Sequence, residues 1–203
     1  MLRKPKGFDE AKSFGSSTKL PVGVYVCEIK KAEAIKAPWD NSIDQLVISF
    51  DISEGEYKDY YLNRWNDDKD QPERKWKGHI TYTMPSDDGS DKDKTLNSIL
   101  KGLMEALEES NSGYHWDWDE NKIKGLKCGM IFRERFYSFN GRNGTFTEPY
   151  KIVAIDKMKT AKIPDLYVPN KLQSEYNAYI GKGSATDSSD FMDVPAGVDE
   201  LPF

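Results

Sequence analysis

Residues 126–146 read LKCGMIFRERFYSFNGRNGTF. Side chains on a strand alternate between two faces. Met130, Phe132, Glu134 and Phe136 therefore share one face, and Ile131, Arg133, Arg135, Tyr137 and Phe139 share the other. Asn140-Gly141-Arg142-Asn143-Gly144 follows, and Asn and Gly tolerate the positive φ of a tight hairpin turn. Residues 145–158 then return as a partner strand. Pro149 has no N–H to give, so a bulge or an exposed edge is expected there. The second face interleaves guanidinium groups with rings, the pairing that suits unpaired nucleic acid: cations track phosphates and flat rings stack on bases. Arg133 and Arg135 stand two residues apart, and a core does not bury adjacent guanidinium groups cheaply. An outward, DNA-facing position is expected for both, with a salt bridge to the acidic 65–120 segment as the competing reading.

Upstream of this hairpin, residues 24–36 (VYVCEIKKAEAIK) and 43–52 (IDQLVISFDI) read as two strands joined by a loop that carries Trp39. Leu46, Ile48, Phe50 and Ile52 share one face of the second. After a turn at 53–56, residues 57–65 (YKDYYLNRW) read as a third strand, with Tyr57, Tyr61 and Trp65 on one side and Lys58, Tyr60 and Arg64 on the other. Residues 66–92 look irregular, with room for a short strand around 79–84. Leu96, Ile99, Leu100, Leu103, Met104 and Leu107 recur at helical spacing, with Asp93 or Thr95 as the expected cap and Asn111-Ser112-Gly113 as the stop. A mainly β protein is expected: a five-stranded antiparallel OB-fold barrel with one helix between strands 3 and 4. Its domains are a flexible arm over 1–18, the barrel over 19–160, an extension over 161–180 and a disordered acidic tail over 181–203.

The chain has 203 residues, 31% of them charged, with a net charge of -5. That total hides an uneven distribution: residues 65–120 are net -7, residues 121–162 net +7, and residues 181–203 net -4. A basic block and an acidic tail on one chain point to an anionic ligand and a separate protein contact. No apolar run approaches the roughly 20 residues that span a bilayer, and the basic start MLRKPKGFDEAKSFG lacks the apolar stretch of a secretory signal. With only Cys27 and Cys128, a reduced cytoplasmic setting is expected, with both thiols in the core.

The chain ends Asp199-Glu200-Leu201-Pro202-Phe203. This ending resembles the acidic tip of bacterial and phage single-stranded-DNA-binding proteins. The resemblance implies that Phe203 and Pro202 anchor in an apolar pocket of a partner, with Leu201 beside them and Asp199 and Glu200 on its basic rim. Gly23-Val24-Tyr25 through Ile29 and Ala32, with Gly55-Glu56-Tyr57-Lys58, is similar to the openings of phage replication and recombination proteins. It implies a phage origin and, with it, the host cytoplasm.

Enzyme readings find little support. His79 and His115 lack ligands at metal spacing, and a zinc site with Cys27 and Cys128 has no CxxC-type pattern. There is no Walker A, GxSxG or GxGxxG sequence. Asp67, Asp68, Asp70, Asp87, Asp88, Asp91 and Asp93 lie in polar loop sequence, as a solvated loop does. The expected function is to bind and protect single-stranded DNA in replication or recombination, with no cofactor and no catalytic residue. Partner proteins would be recruited through the tip, and a homo-oligomer is compatible. The expected DNA contacts are Trp39, Tyr60, Arg64, Arg133, Arg135, Tyr137, Phe139, Arg142, Phe146 and Lys151. A phage adaptor that uses the tail without binding DNA is the alternative.

Overall fold

The computed structural model describes residues 3–4, 19–69 and 73–181. Apart from Arg3, Lys4 and Gly181, the arm expected over 1–18 and the tail expected over 181–203 lie outside the described residues. So does the expected tip, Asp199 to Phe203. The elements run β1 (Gly23–Ala37), β2 (Asp40–Ile52), α1 (Tyr60–Asp67), β3 (His79–Thr83), α2 (Asp91–Ser110), β4 (Lys127–Phe139), β5 (Arg142–Val153) and α3 (Gln173–Gly181), with short 3-10 turns before β4, after β5 and before α3. The strands form one antiparallel sheet in the order β3-β2-β1-β4-β5.

One face of this sheet is apolar, as the alternation requires. Rows such as Ile29 with Phe50, Ile48 with Ile80, and Met130 with Ile152 are in register and buried. Cys27 and Cys128 sit opposite each other in the same core, and burial pushes the Cys128 thiol up to about 12. Helix α2 covers the core with Leu100, Leu103, Met104 and Leu107, all buried. Its cap is Ser90, whose side chain accepts from the Asp93 N–H, and not Asp93 or Thr95. Asp93 instead reaches back to accept from the Ser86 N–H at 2.6 Å. Asn111 ties the far end of α2 to the start of β4, giving Nδ2 to the Leu107 and Lys127 carbonyls and accepting from the Lys127 N–H.

Two expectations need correction. The sheet is open: no ladder joins its edge strands β3 and β5, which approach where the Ile152 N–H meets the Tyr82 hydroxyl at 3.4 Å. The third strand is His79–Thr83, and residues 57–65 lead into helix α1 instead. Tyr57, Tyr61 and Trp65 lie four residues apart, a spacing that fits one face of a strand and one face of a helix equally. Asp51 decides between them. Its carboxylate, 1% exposed on β2, accepts from the Tyr61 and Leu62 N–H groups at 3.0 Å each and so caps α1 from the neighbouring strand. Burial raises its pKa against the pull of those bonds. No helix among the described residues is long and apolar enough to cross a membrane.

Candidate nucleic-acid interface

Most of the expected contacts fall on the β4–β5 hairpin. Pairing of β1 with β4 ends at Gly23 opposite Phe132, whereas β4 and β5 continue to Phe139 opposite Arg142. The outer part of the hairpin thus extends beyond β1 as a two-stranded arm. Its turn is Asn140-Gly141, with φ of 49° and 76°, the positive pair that suits a two-residue connection. The expected irregularity at Pro149 is present: Ile131 pairs with Lys151 and Phe132 with Pro149, which leaves Tyr150 as the extra residue of a bulge.

The arm is sheathed near its base. On the inner face Phe136 is fully buried between Tyr176 and Tyr179 of α3, at centroid distances of 5.1 and 5.4 Å. Glu134 accepts from Lys19 Nζ at 2.7 Å and Thr145 Oγ1 at 2.6 Å. Burial alone would raise its carboxyl, but these bonds hold it below the ordinary glutamate range. Thr147 donates to the Leu20 carbonyl at 2.6 Å, so the chain before β1 is strapped over the same face. Along the edge of β4 the 161–180 extension adds a short run of ladder: Tyr167 N–H donates to the Glu134 carbonyl at 2.8 Å, and the Tyr167 carbonyl accepts from the Phe136 N–H at 2.9 Å.

On the outer face Glu148 sits between the two arginines. Arg133 Nε donates to its Oε1 at 2.8 Å and Arg135 Nη1 to its Oε2 at 3.0 Å, with all three side chains 9–14% exposed. The Arg133 guanidinium also lies 4.1 Å from the Tyr167 ring centroid and 4.6 Å from that of Tyr150. Arg135 lies 5.5 Å from the Tyr167 ring. The outward position expected for these arginines is therefore not an open one. Among the described residues the carboxylate they share is Glu148, the cross-strand neighbour of Arg133, where the acidic 65–120 segment was the competing expectation. One carboxylate and two rings compensate the burial, because a guanidinium can take a bidentate partner at its edge and rings on its faces. These groups fasten the extension to the hairpin.

The tip is different. Tyr137 lies across Gly144, where an added Cβ would come within 3.0 Å of its ring, and its centroid is 6.1 Å from that of Phe146. Phe139 is 40% exposed and pairs across the ladder with exposed Arg142. Exposed Tyr150 and Lys151 continue the same strand toward the base. This outer surface of rings and cations is the part of the expected interface that the structure brings together. No family model matches the chain. No curated protein matches it either.

The remaining expected contacts stand on other elements. Trp39 is exposed at the β1–β2 turn. Tyr60 and Arg64 lie one turn apart on α1, where Arg64 Nη1 donates to the Tyr60 hydroxyl at 3.3 Å. The structure adds groups the sequence did not single out. Arg74 stacks on Trp65 at 4.1 Å, with Trp76 6.2 Å beyond, and Tyr167 closes the lock on Arg133. Pro164 and Pro169 around Tyr167 were the available signal, since prolines on both sides favour an extended segment. Among the described residues no group of three or more His, Cys, Asp or Glu side chains is placed to hold a metal ion.

Proposed function

We propose that this protein binds single-stranded DNA with little sequence preference, through the outer face of the β4–β5 hairpin tip. The observation that carries this reading is the group of accessible rings at Tyr137, Phe139 and Phe146 on one face with Arg142 at the tip, with Lys151 further along the same face toward the base. Rings supply stacking worth roughly 1–3 kcal/mol per base, which is insensitive to sequence because every base has a π-face. The cations supply phosphate attraction that weakens with salt. The strand order supports a partly open OB-type arrangement as the scaffold: β1 lies between β2 and β4, and the edge strands β3 and β5 approach each other at Tyr82 and Ile152 without pairing. In this reading the acidic tail ending in Leu201-Pro202-Phe203 recruits replication or recombination proteins of a phage, and the protein is not an enzyme.

Titration of labelled oligo(dT) against the intact chain and the Phe139→Ala/Phe146→Ala variant tests the proposal. The wild type is expected to bind with steep salt dependence and the variant to bind more weakly while remaining folded. Equal affinity would remove the hairpin tip from the interface. Absence of any binding by the wild type would favour a protein-interaction adaptor.

A further inference from the structure

A second exposed ring lies on a different element and in a different electrostatic setting. The loop between α2 and β4 reads SGYHWDWDE over 112–120. Tyr114 and Trp116 pack against the core, and the Trp116 N–H donates to Glu108 Oε1 at 2.8 Å. Trp118 turns outward instead. It is 72% exposed, touching Trp116 edge-on at a centroid distance of 5.8 Å, and its φ of 69° is one that bulky side chains rarely adopt. Residues 105–120 contain six acids and no Lys or Arg. Three of them converge here: burial, then the carboxylates of Asp117, Glu108 and Asp119, push the Tyr114 phenol up. Lys122 pairs with Asp117, Lys157 with Glu109 and Lys101 with Glu105, which leaves Glu108, Asp119 and Glu120 outside these lysine pairs. Among the described residues, the buried Tyr114 hydroxyl and Trp116 Nε1 have no hydrogen-bond partner.

We propose that Trp118 and the acids around it form a docking surface for an arginine-bearing segment of a partner protein, separate from the hairpin tip. Phosphate is repelled by such a surface, so a nucleic acid is the wrong occupant. A guanidinium is attracted to the carboxylates and also stacks on indole, the ring that holds cations best.

The test uses the full chain and a fluorescein-labelled alternating arginine–glycine peptide, with an alternating lysine–glycine peptide as control. Trp118→Gly is the informative variant, because glycine suits the positive φ and the change removes the ring without opening the core. The variant is expected to melt no lower than the wild type, to bind the arginine peptide about tenfold more weakly, and to bind oligo(dT) as the wild type does. Trp118→Phe is expected to restore part of the peptide affinity, and the lysine peptide to bind less well than the arginine peptide. Equal peptide affinity in Trp118→Gly overturns the proposal. So does a loss confined to oligo(dT), which would make Trp118 a base-stacking ring, or a change in sedimentation with no change in peptide binding, which would make the loop a contact between copies. Failure of wild-type DNA binding would leave these peptide outcomes readable, since the two surfaces are assayed with different probes.

Discussion

The base and the tip of the β4–β5 hairpin follow one alternating pattern and end in opposite states. At the base, Arg133 and Arg135 share Glu148 and are closed over by Tyr167. At the tip, a few residues further along the same face, Phe139 and Arg142 are exposed and Tyr137 and Phe146 are half-buried. Alternation assigns a side chain to a face. Whether that face meets solvent depends on chain that arrives from elsewhere, here the 161–180 extension. Among the described residues the base is therefore a structural lock, and the tip is the part of the face that we propose meets a ligand.

The largest expected effect separates lock from ligand surface. Glu148→Ala removes the carboxylate that two poorly exposed guanidinium groups share and is expected to cost about 3 kcal/mol in urea unfolding. An unchanged midpoint would mean that the arginines re-solvate freely and that the lock is cosmetic. Next comes Tyr167→Ala, which removes the ring stacked on Arg133 while leaving the Tyr167 backbone ladder in place. It is expected to cost roughly 1–2 kcal/mol and to render 161–181 cleavable in limited proteolysis, with oligo(dT) affinity kept. Loss of DNA binding with unchanged proteolysis would reverse the roles given to the two regions.

A pH experiment probes the inner side of the base. Glu134 titrates below its ordinary range in the folded chain because Lys19 and Thr145 hold its carboxylate against burial. A lowered folded-state value means the contact stabilises above the unfolded-state range and is lost as pH falls through the lowered value. The stability gap between wild type and Glu134→Gln is thus expected at neutral pH and should close on acidification. A gap that widens in acid would contradict the assignment. The smallest effect belongs to a single tip cation. Arg142→Ala is expected to lower the slope of log affinity against log salt by about 0.7, the value for one phosphate contact on a single strand.

Much of this molecule was legible in its sequence. Alternation located β1, β2, β4 and β5, the apolar stripe located α2, and Asn140-Gly141 located the turn. The misreadings have specific causes. Tyr57, Tyr61 and Trp65 fit two periodicities at once, and the group that chose the helix, Asp51, lies on another element. The two arginines do share the expected face, but Glu148 across the ladder and Tyr167 on the free edge of β4 are matters of register and tertiary path. Barrel closure likewise depends on how the edge strands meet, which no local pattern encodes. At the candidate interface the rings of the tip were readable, while the division between lock and contact was not.

The most direct test of that division is oligo(dT) affinity, measured by fluorescence anisotropy across a salt series, for the wild type and Phe139→Ala/Phe146→Ala, with urea unfolding of both. A loss of roughly 1–3 kcal/mol of binding per stacking ring is expected, with a far smaller change in unfolding midpoint than Glu148→Ala produces. Full affinity in the folded double variant, or a collapse of its stability on the scale of Glu148→Ala, would contradict it.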